Sequence, residues 1–152
     1  MIRTIAPVAL TLYIGVVFVQ SLFFKFTNSP ETQYIFGTLE KWANGLGLRG
    51  AFGPYGIASQ YVVGSAELVA STVLLAALFP AFRWLQPWGA LLALGVISGA
   101  IFFHLFTPLG VSVRNADGSY DGGLLFALAC GVWLSAAALL LLNRFGGARG
   151  CA

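Results

Sequence analysis

The hydrophobic positions of the chain fall into four long runs, separated by shorter stretches rich in glycine, proline and charged residues. A helix needs about 20 mostly apolar residues to cross a hydrocarbon core about 30 Å thick. Each run is about this long and has few polar positions. The pattern therefore predicts transmembrane helices over residues 5–26, 57–79, 86–107 and 123–143.

The connections between these runs predict how the helices are arranged. Pro80 and Pro87 bracket a turn short enough to join two antiparallel helices, and turn-forming runs such as Asp121-Gly122-Gly123 precede the fourth helix. The first run is too long for the apolar part of a signal peptide, so we expect an uncleaved helix. We therefore expect an all-α membrane protein, a four-helix transmembrane bundle that forms a single integral membrane domain over residues 1–152.

A further helix is predicted between the first two transmembrane helices. Ser29, Pro30 and Glu31 form a typical helix start, with a capping hydroxyl, a proline in the first turn and an acidic residue beside it. Apolar residues then recur at near-helical spacing, with polar residues between them. This pattern predicts a short amphipathic helix lying on the membrane surface; the alternative is an ordered loop. The apolar positions are Tyr34, Ile35, Leu39 and Trp42.

The composition supports a membrane protein and excludes several function classes. Hydrophobic residues make up 59% of the chain and charged residues only 9%, against about 25% charged residues in ordinary soluble domains. The net charge is +3, but the basic residues are scattered singly and form no stripe for a nucleic acid. Cys130 and Cys151 form neither a disulfide framework nor a CxxC pair.

Charge placement leaves the orientation open by simple counting. An even number of spans puts both termini on one side of the membrane, and each side then carries four basic residues. All the acidic loop residues fall on the side opposite the termini, which favours termini in the cytoplasm. We expect a multi-pass protein of a bacterial-type cytoplasmic (inner) membrane. The basic residues on the terminal side are Arg3, Arg83, Arg144 and Arg149, and those opposite are Lys25, Lys41, Arg49 and Arg114.

Glu67 lies in the middle of the second apolar run. An ionised carboxylate at the centre of a membrane helix costs at least about 2.5–3.5 kcal/mol, so Glu67 must face the bundle interior. Gln60, Gly64, Glu67 and Ser71 recur at spacings of four, three and four residues, which places them on one helical face. This polar stripe makes Glu67 and Gln60 candidates for binding a ligand or handling a proton.

Two polar residues lie near the end of the first helix, and the deeper of them, Gln20, lies near the depth of Glu67. Lys25 closes that helix and Gln20 lies about 7.5 Å deeper. Because the first two transmembrane helices are antiparallel, Lys25 is able to bend inward and pair with Glu67. The alternative is that its ammonium extends to the lipid headgroups.

His104 is the only histidine and lies near the end of the third transmembrane helix. A single imidazole is a poor metal site, and Met1 is the only methionine available as a second haem ligand. We therefore predict no metal site and no intrinsic cofactor. Hydrogen bonding or proton handling beside Glu67 and Lys25 fits better, since imidazole titrates near neutral pH.

The residues that close the first and third helices resemble motifs of the DoxX-like family of small four-helix membrane proteins. Phe23-Phe24-Lys25-Phe26 resembles the lysine-bearing end of that family's first helix, although Leu22 stands in place of a glycine. Gly64-Ser65-Ala66-Glu67 resembles the start of its glutamate segment, in which Ser71 replaces a glycine, and Ala100 to His104 resembles its A-x-x-x-H element. The order and spacing match over nearly the whole chain.

The resemblance implies a small membrane subunit linked to a redox system, such as the partners of quinol oxidases or thiosulfate–quinone oxidoreductases. Under this interpretation a quinone, or a similar hydrophobic carrier, binds near Lys25, Glu67 and His104, and a partner subunit supplies the electrons. If the chain belongs to an enzyme, it is a subunit of a quinone-linked oxidoreductase complex.

A second interpretation is a non-catalytic scaffold or assembly factor, in which the buried polar residues fix how the helices pack. A small-molecule transporter ranks third, because no helix is broken at its centre as in many transporters. The expected partners are the lipid bilayer and either further copies of the chain or membrane redox subunits.

Overall fold

A computed structural model describes residues 2–147 of the chain, and Cys151 lies outside this range. Within residues 2–147 the chain forms five α-helices and no β-strand, which confirms the all-helical prediction. A 3-10 helix (Pro80–Leu85) precedes α4. The helices are α1 (Ile2–Phe26), α2 (Pro30–Gly45), α3 (Gln60–Ala76), α4 (Gln86–Phe106) and α5 (Leu124–Gly147).

The four longest helices pack as a ring. α1 contacts α3 and α5, and α4 contacts the same two helices from the opposite side. Three stretches of the described chain are long and apolar enough to cross a membrane. They support the prediction of a membrane-embedded protein, and they are Ile5–Phe26, Pro80–Phe106 and Leu124–Arg144.

α3 is shorter than the apolar run that predicted it. It has 17 residues, about 25 Å of helix, whereas the predicted span covered residues 57–79. Ser59 caps its start, since the Ser59 hydroxyl accepts a hydrogen bond from the Val62 N–H at 3.4 Å. At the other end, Phe79 already belongs to the turn before the 3-10 helix. The predicted span was longer by three residues at each end, because Ser59 caps the start of the helix and the chain turns after Ala76 although the sequence stays apolar.

Close packing holds the ring together at the end away from α2. Gly89 of α4 lies directly against α3, where an added Cβ atom would stand 2.8 Å from Cγ of Leu74. Gly131 of α5 receives the Tyr13 ring of α1 in the same way. The core at this end is aliphatic. Its buried residues include Ile14, Ala70, Leu74, Ala90, Ala93, Val132, Ala136 and Leu139.

α2 is the amphipathic helix that the sequence predicts, and it covers the opposite end of the ring. Ser29 caps it through the Thr32 N–H, and Leu39 and Ala43 are buried against Phe52 and Leu109 from the following loops. The Glu40 carboxylate accepts hydrogen bonds from the N–H groups of Phe52, at 2.9 Å, and Gly50, at 2.8 Å. These two bonds lower the pKa of Glu40 and fold the glycine-rich loop under α2.

Candidate functional site

Lys25 and Glu67 form an ion pair between α1 and α3. Lys25 Nζ lies 3.0 Å from both Oε1 and Oε2 of Glu67, which confirms the predicted pairing. The two side chains are 14% and 6% exposed, so the pair is nearly enclosed. Lys25 lies in the last turn of α1, where the helix dipole favours a positive charge. From there its side chain reaches Glu67 in the middle of α3.

Ser21 completes this pair, and the sequence analysis did not single it out. It lies one turn before Lys25 on the same face of α1 and accepts a hydrogen bond from Lys25 Nζ. The three acceptors, two carboxylate oxygens and one hydroxyl, match the three N–H donors of an ammonium group. Lys25 is therefore held without a spare donor for a ligand. The i, i+4 spacing of Ser21 and Lys25 is the signal that identifies this contact from sequence.

His104 closes the other side of the site. Its Nδ1 lies 2.7 Å from the carbonyl oxygen of Gly110, and because a carbonyl only accepts, Nδ1 carries the proton and donates. In the neutral ring, Nε2 is then a hydrogen-bond acceptor. Nε2 has no hydrogen-bond partner among residues 2–147. Because every fully buried side-chain nitrogen or oxygen in that range does have a partner, Nε2 is not fully buried and remains accessible. The edge-to-face contact with Phe126, at 5.7 Å between ring centroids, fixes the plane of the ring.

A cavity of about 540 Å³ lies between the ion pair and His104, beneath α2. All five helices contribute to its wall, which is mostly apolar. Thr32, Ile35 and Leu39 of α2 form its cover. The remaining apolar side chains of the wall include Val17, Phe18, Phe24, Val63, Ala66, Val96, Ile97, Ala100, Phe103, Leu125 and Leu128.

The cavity continues toward the outside of the ring between α3 and α4. Val62 lines the cavity although its side chain is 49% exposed, and Gly95 is also exposed. A Cβ atom added at Gly95 or at Gly99 would have no atom within 4 Å. The two glycines are one helical turn apart and both line the cavity, so this part of the α4 wall consists of backbone alone.

Gln20 and Gln60, the other two predicted site residues, take different positions. Gln20 borders the cavity but is exposed, because five residues of helix rotate it about 140° away from Lys25. Gln60 is buried outside the cavity wall, where its Nε2 donates to the carbonyl oxygen of Lys25 at 2.9 Å and to Oδ1 of Asn28 at 3.1 Å. Gln60 thus provides a hydrogen bond for the carbonyl oxygen of Lys25 at the end of α1. Of the predicted site residues, Glu67, Lys25 and His104 are the enclosed polar groups of the cavity, and Ser21, Thr32 and Asp121 line it as well.

Asp121 anchors the loop that leads into α5 and also lines the cavity. Its Oδ1 accepts hydrogen bonds from the N–H groups of Val113, at 2.7 Å, and Gly123, at 3.0 Å, and its Oδ2 accepts from the Leu125 N–H at 3.0 Å. Partial burial alone would raise the pKa of Asp121, but these hydrogen bonds outweigh it and leave that pKa below its ordinary value. The prediction of a turn residue is confirmed.

Searches against family models, curated proteins and solved structures found no match for this chain. Its function therefore has to be inferred from the geometry of the cavity and its polar groups.

Proposed function

We propose that α3 spans the membrane together with the three longer helices, as the fourth member of the ring. The support is its position: α3 packs against both α1 and α4, and its apolar residues Leu68 and Val69 are about half exposed on the outer surface of the ring. The orientation follows the charge pattern, with both termini in the cytoplasm, α2 on the opposite face and a bacterial-type inner membrane as the location.

Within this bundle the chain acts as a DoxX-like subunit of a quinone-linked redox system and holds a hydrophobic carrier of the quinone class. The observation that carries this proposal is the cavity of about 540 Å³, which has apolar walls and an accessible imidazole. Small-molecule sites typically measure about 300–1,000 Å³ and combine apolar walls with a few placed polar groups. Electrons come from a partner subunit.

At His104 the cavity favours the reduced form of such a carrier. With Nδ1 donating to Gly110, Nε2 of the neutral tautomer accepts a hydrogen bond, and the donors of Lys25 are already engaged. A quinol hydroxyl at this position donates to Nε2, whereas a quinone carbonyl at the same position would meet another acceptor. In this arrangement His104 orients the head group, and the Lys25–Glu67 pair supplies a polar wall opposite it.

Binding to the protein in lipid nanodiscs tests the proposal with three tail-less probes: tetramethylhydroquinone, tetramethylbenzoquinone and the dimethyl ether of the quinol. We expect the quinol to bind about tenfold more tightly than the other two, the equivalent of one well-placed hydrogen bond. His104→Phe should remove this preference. Phe126→Leu, which alters the ring contact but keeps Nε2, should retain it. Binding of all three probes no stronger than to empty nanodiscs would refute the proposal.

The scaffold interpretation has one observation of its own. No buried polar side-chain atom in the described residues lacks a hydrogen-bond partner, as expected where polar groups serve helix packing. Under this alternative, Lys25→Met combined with Glu67→Gln should restore stability and leave every activity of the protein's complex intact. A stable double variant that has lost activity would exclude the scaffold.

A further inference from the structure

α3 and α4 touch at Gly89, where an added Cβ atom would stand 2.8 Å from Leu74 and 3.0 Å from Val73. Gly95 and Gly99 follow about two and three turns further along α4, on a side of the helix about 120° and 80° away from Gly89. An added Cβ atom at either position would meet nothing within 4 Å, yet both glycines line the cavity together with residues of α3. The cavity wall therefore has a gap between α3 and α4 beside these glycines.

This gap joins the cavity to the outer surface of the ring. Its α3 side carries Val62 and Ala66, and its α4 side carries the two glycines, all of which line the same cavity as His104 and Glu67. Val62 is 49% exposed, whereas Glu67, one and a half turns along α3, is almost fully buried. A single continuous space thus runs from buried polar groups to an apolar, half-exposed edge.

We propose that the gap between α3 and α4 holds the alkyl tail of the carrier and is the route by which the carrier enters from the bilayer. This inference rests on the proposed function, since it assigns the tail of a ligand whose head group lies beside His104. The occupant is a linear or isoprenoid hydrocarbon chain. A chain fits here because the gap is apolar, runs along one helical turn of α4 without side chains and begins at the cavity wall. The cavity also reaches exposed residues at the α1–α5 edge, Gln20 and Leu124, but the polar Gln20 and the bulkier Phe24 and Leu128 line it there.

Two benzoquinols with the same dimethoxy-methyl head test the inference, one without a tail and one with a ten-carbon tail. Affinities are measured in nanodiscs for wild type, Gly99→Leu and Gly95→Leu, with Ser65→Leu as the control. Ser65 is exposed on α3 outside the cavity wall, so its variant places a leucine side chain elsewhere on the surface. Partitioning into lipid cancels when each ligand's affinity is expressed as the ratio of variant to wild type.

We expect each glycine variant to weaken the tailed quinol by about tenfold or more and to leave the tail-less quinol within about twofold, because only the contacts of several methylenes are lost. Ser65→Leu should change neither affinity. Retention of the tailed ligand by both glycine variants would overturn the inference, and so would equal losses of both ligands, since the leucine would then fill the head-group site. Failure of wild type to bind either quinol overturns the proposed function together with the tail site.

Discussion

The two ends of the helix ring differ in how they use small residues. At the end away from α2, Gly89 and Gly131 let neighbouring helices or side chains approach closely, and the core there is filled. At the α2 end, Gly95 and Gly99 have no neighbour to receive, and a cavity of about 540 Å³ lies behind them. Gly89 and Gly131 therefore allow close packing, whereas Gly95 and Gly99 leave space beside the cavity, where we propose the binding site.

The largest effect is expected from breaking the ion pair at the cavity end. Glu67→Gln or Lys25→Met leaves the partner as an uncompensated charge in an enclosed site and should lower the free energy of unfolding by about 3–5 kcal/mol. The double variant should recover most of this loss, because no unpaired charge remains. Unfolding by sodium dodecyl sulfate in mixed micelles, followed by circular dichroism, measures the cycle. If the losses of the two single variants simply add in the double variant, the two residues do not act as a pair.

A larger side chain in place of glycine should destabilise the protein at the packed end but not at the cavity end. Gly89→Val forces a methyl group into Leu74 and Val73 and should destabilise the protein by about 1–3 kcal/mol. The same substitution at Gly99 meets open space and should change the free energy of unfolding by less than about 1 kcal/mol. Thermal unfolding of the two variants under one condition gives the comparison. Equal destabilisation at both positions would contradict the difference between the two ends.

Part of this arrangement could be predicted from sequence. The capping residues at Ser29 and the apolar spacing after it predicted α2, and a carboxylate inside an apolar run required a partner, for which Lys25 was the nearest cation. These predictions succeeded because helical periodicity and the cost of a buried charge act locally or through one strong interaction. His104 was expected beside Glu67 and Lys25, and the structure places all three in the wall of one cavity.

The remaining features depend on how the helices are oriented around the ring. Gln20 was matched to Glu67 by depth alone, and its rotation about α1 places it on the exposed side. Gln60 shares a face with Glu67 but lies level with the end of α1, so it bonds to the backbone there. Gly89 and Gly99 lie on different sides of α4, about 80° apart, and the position of α3 in the ring decides that the first packs and the second leaves space.

The loop at the cavity end should weaken in acid. The folded protein lowers the pKa of Asp121, so the stability that its ionised form contributes is present above the ordinary aspartate pKa and is lost as the pH falls below about 4. Asp121→Asn should cost about 1 kcal/mol at pH 7, as loss of a helix cap does, and should flatten the dependence on pH. Hydrogen exchange of the 112–125 backbone amides at pH values from 3 to 7 measures this effect. Asp117→Asn is the control: its exposed carboxylate bonds only to Ser119 within its own turn, so this variant should leave the exchange of the 121–125 amides unchanged.

The smallest expected effect concerns the contact between α4 and α5 on the outer surface. Trp133 Nε1 donates to Ser98 Oγ at 3.1 Å, and Ser98 Oγ in turn donates to the Leu94 carbonyl oxygen at 2.7 Å. Hydrogen bonds between membrane helices average about 0.6 kcal/mol in double-mutant cycles. Trp133→Phe and Ser98→Ala should therefore show a coupling energy of that size, measured by the same detergent unfolding. Because Trp133 and Ser98 are absent from the cavity wall, both variants should bind the tail-less quinol as wild type does. A coupling energy well above 1 kcal/mol, or a loss of quinol binding, would mean that this contact also sets the spacing of the helices around the cavity.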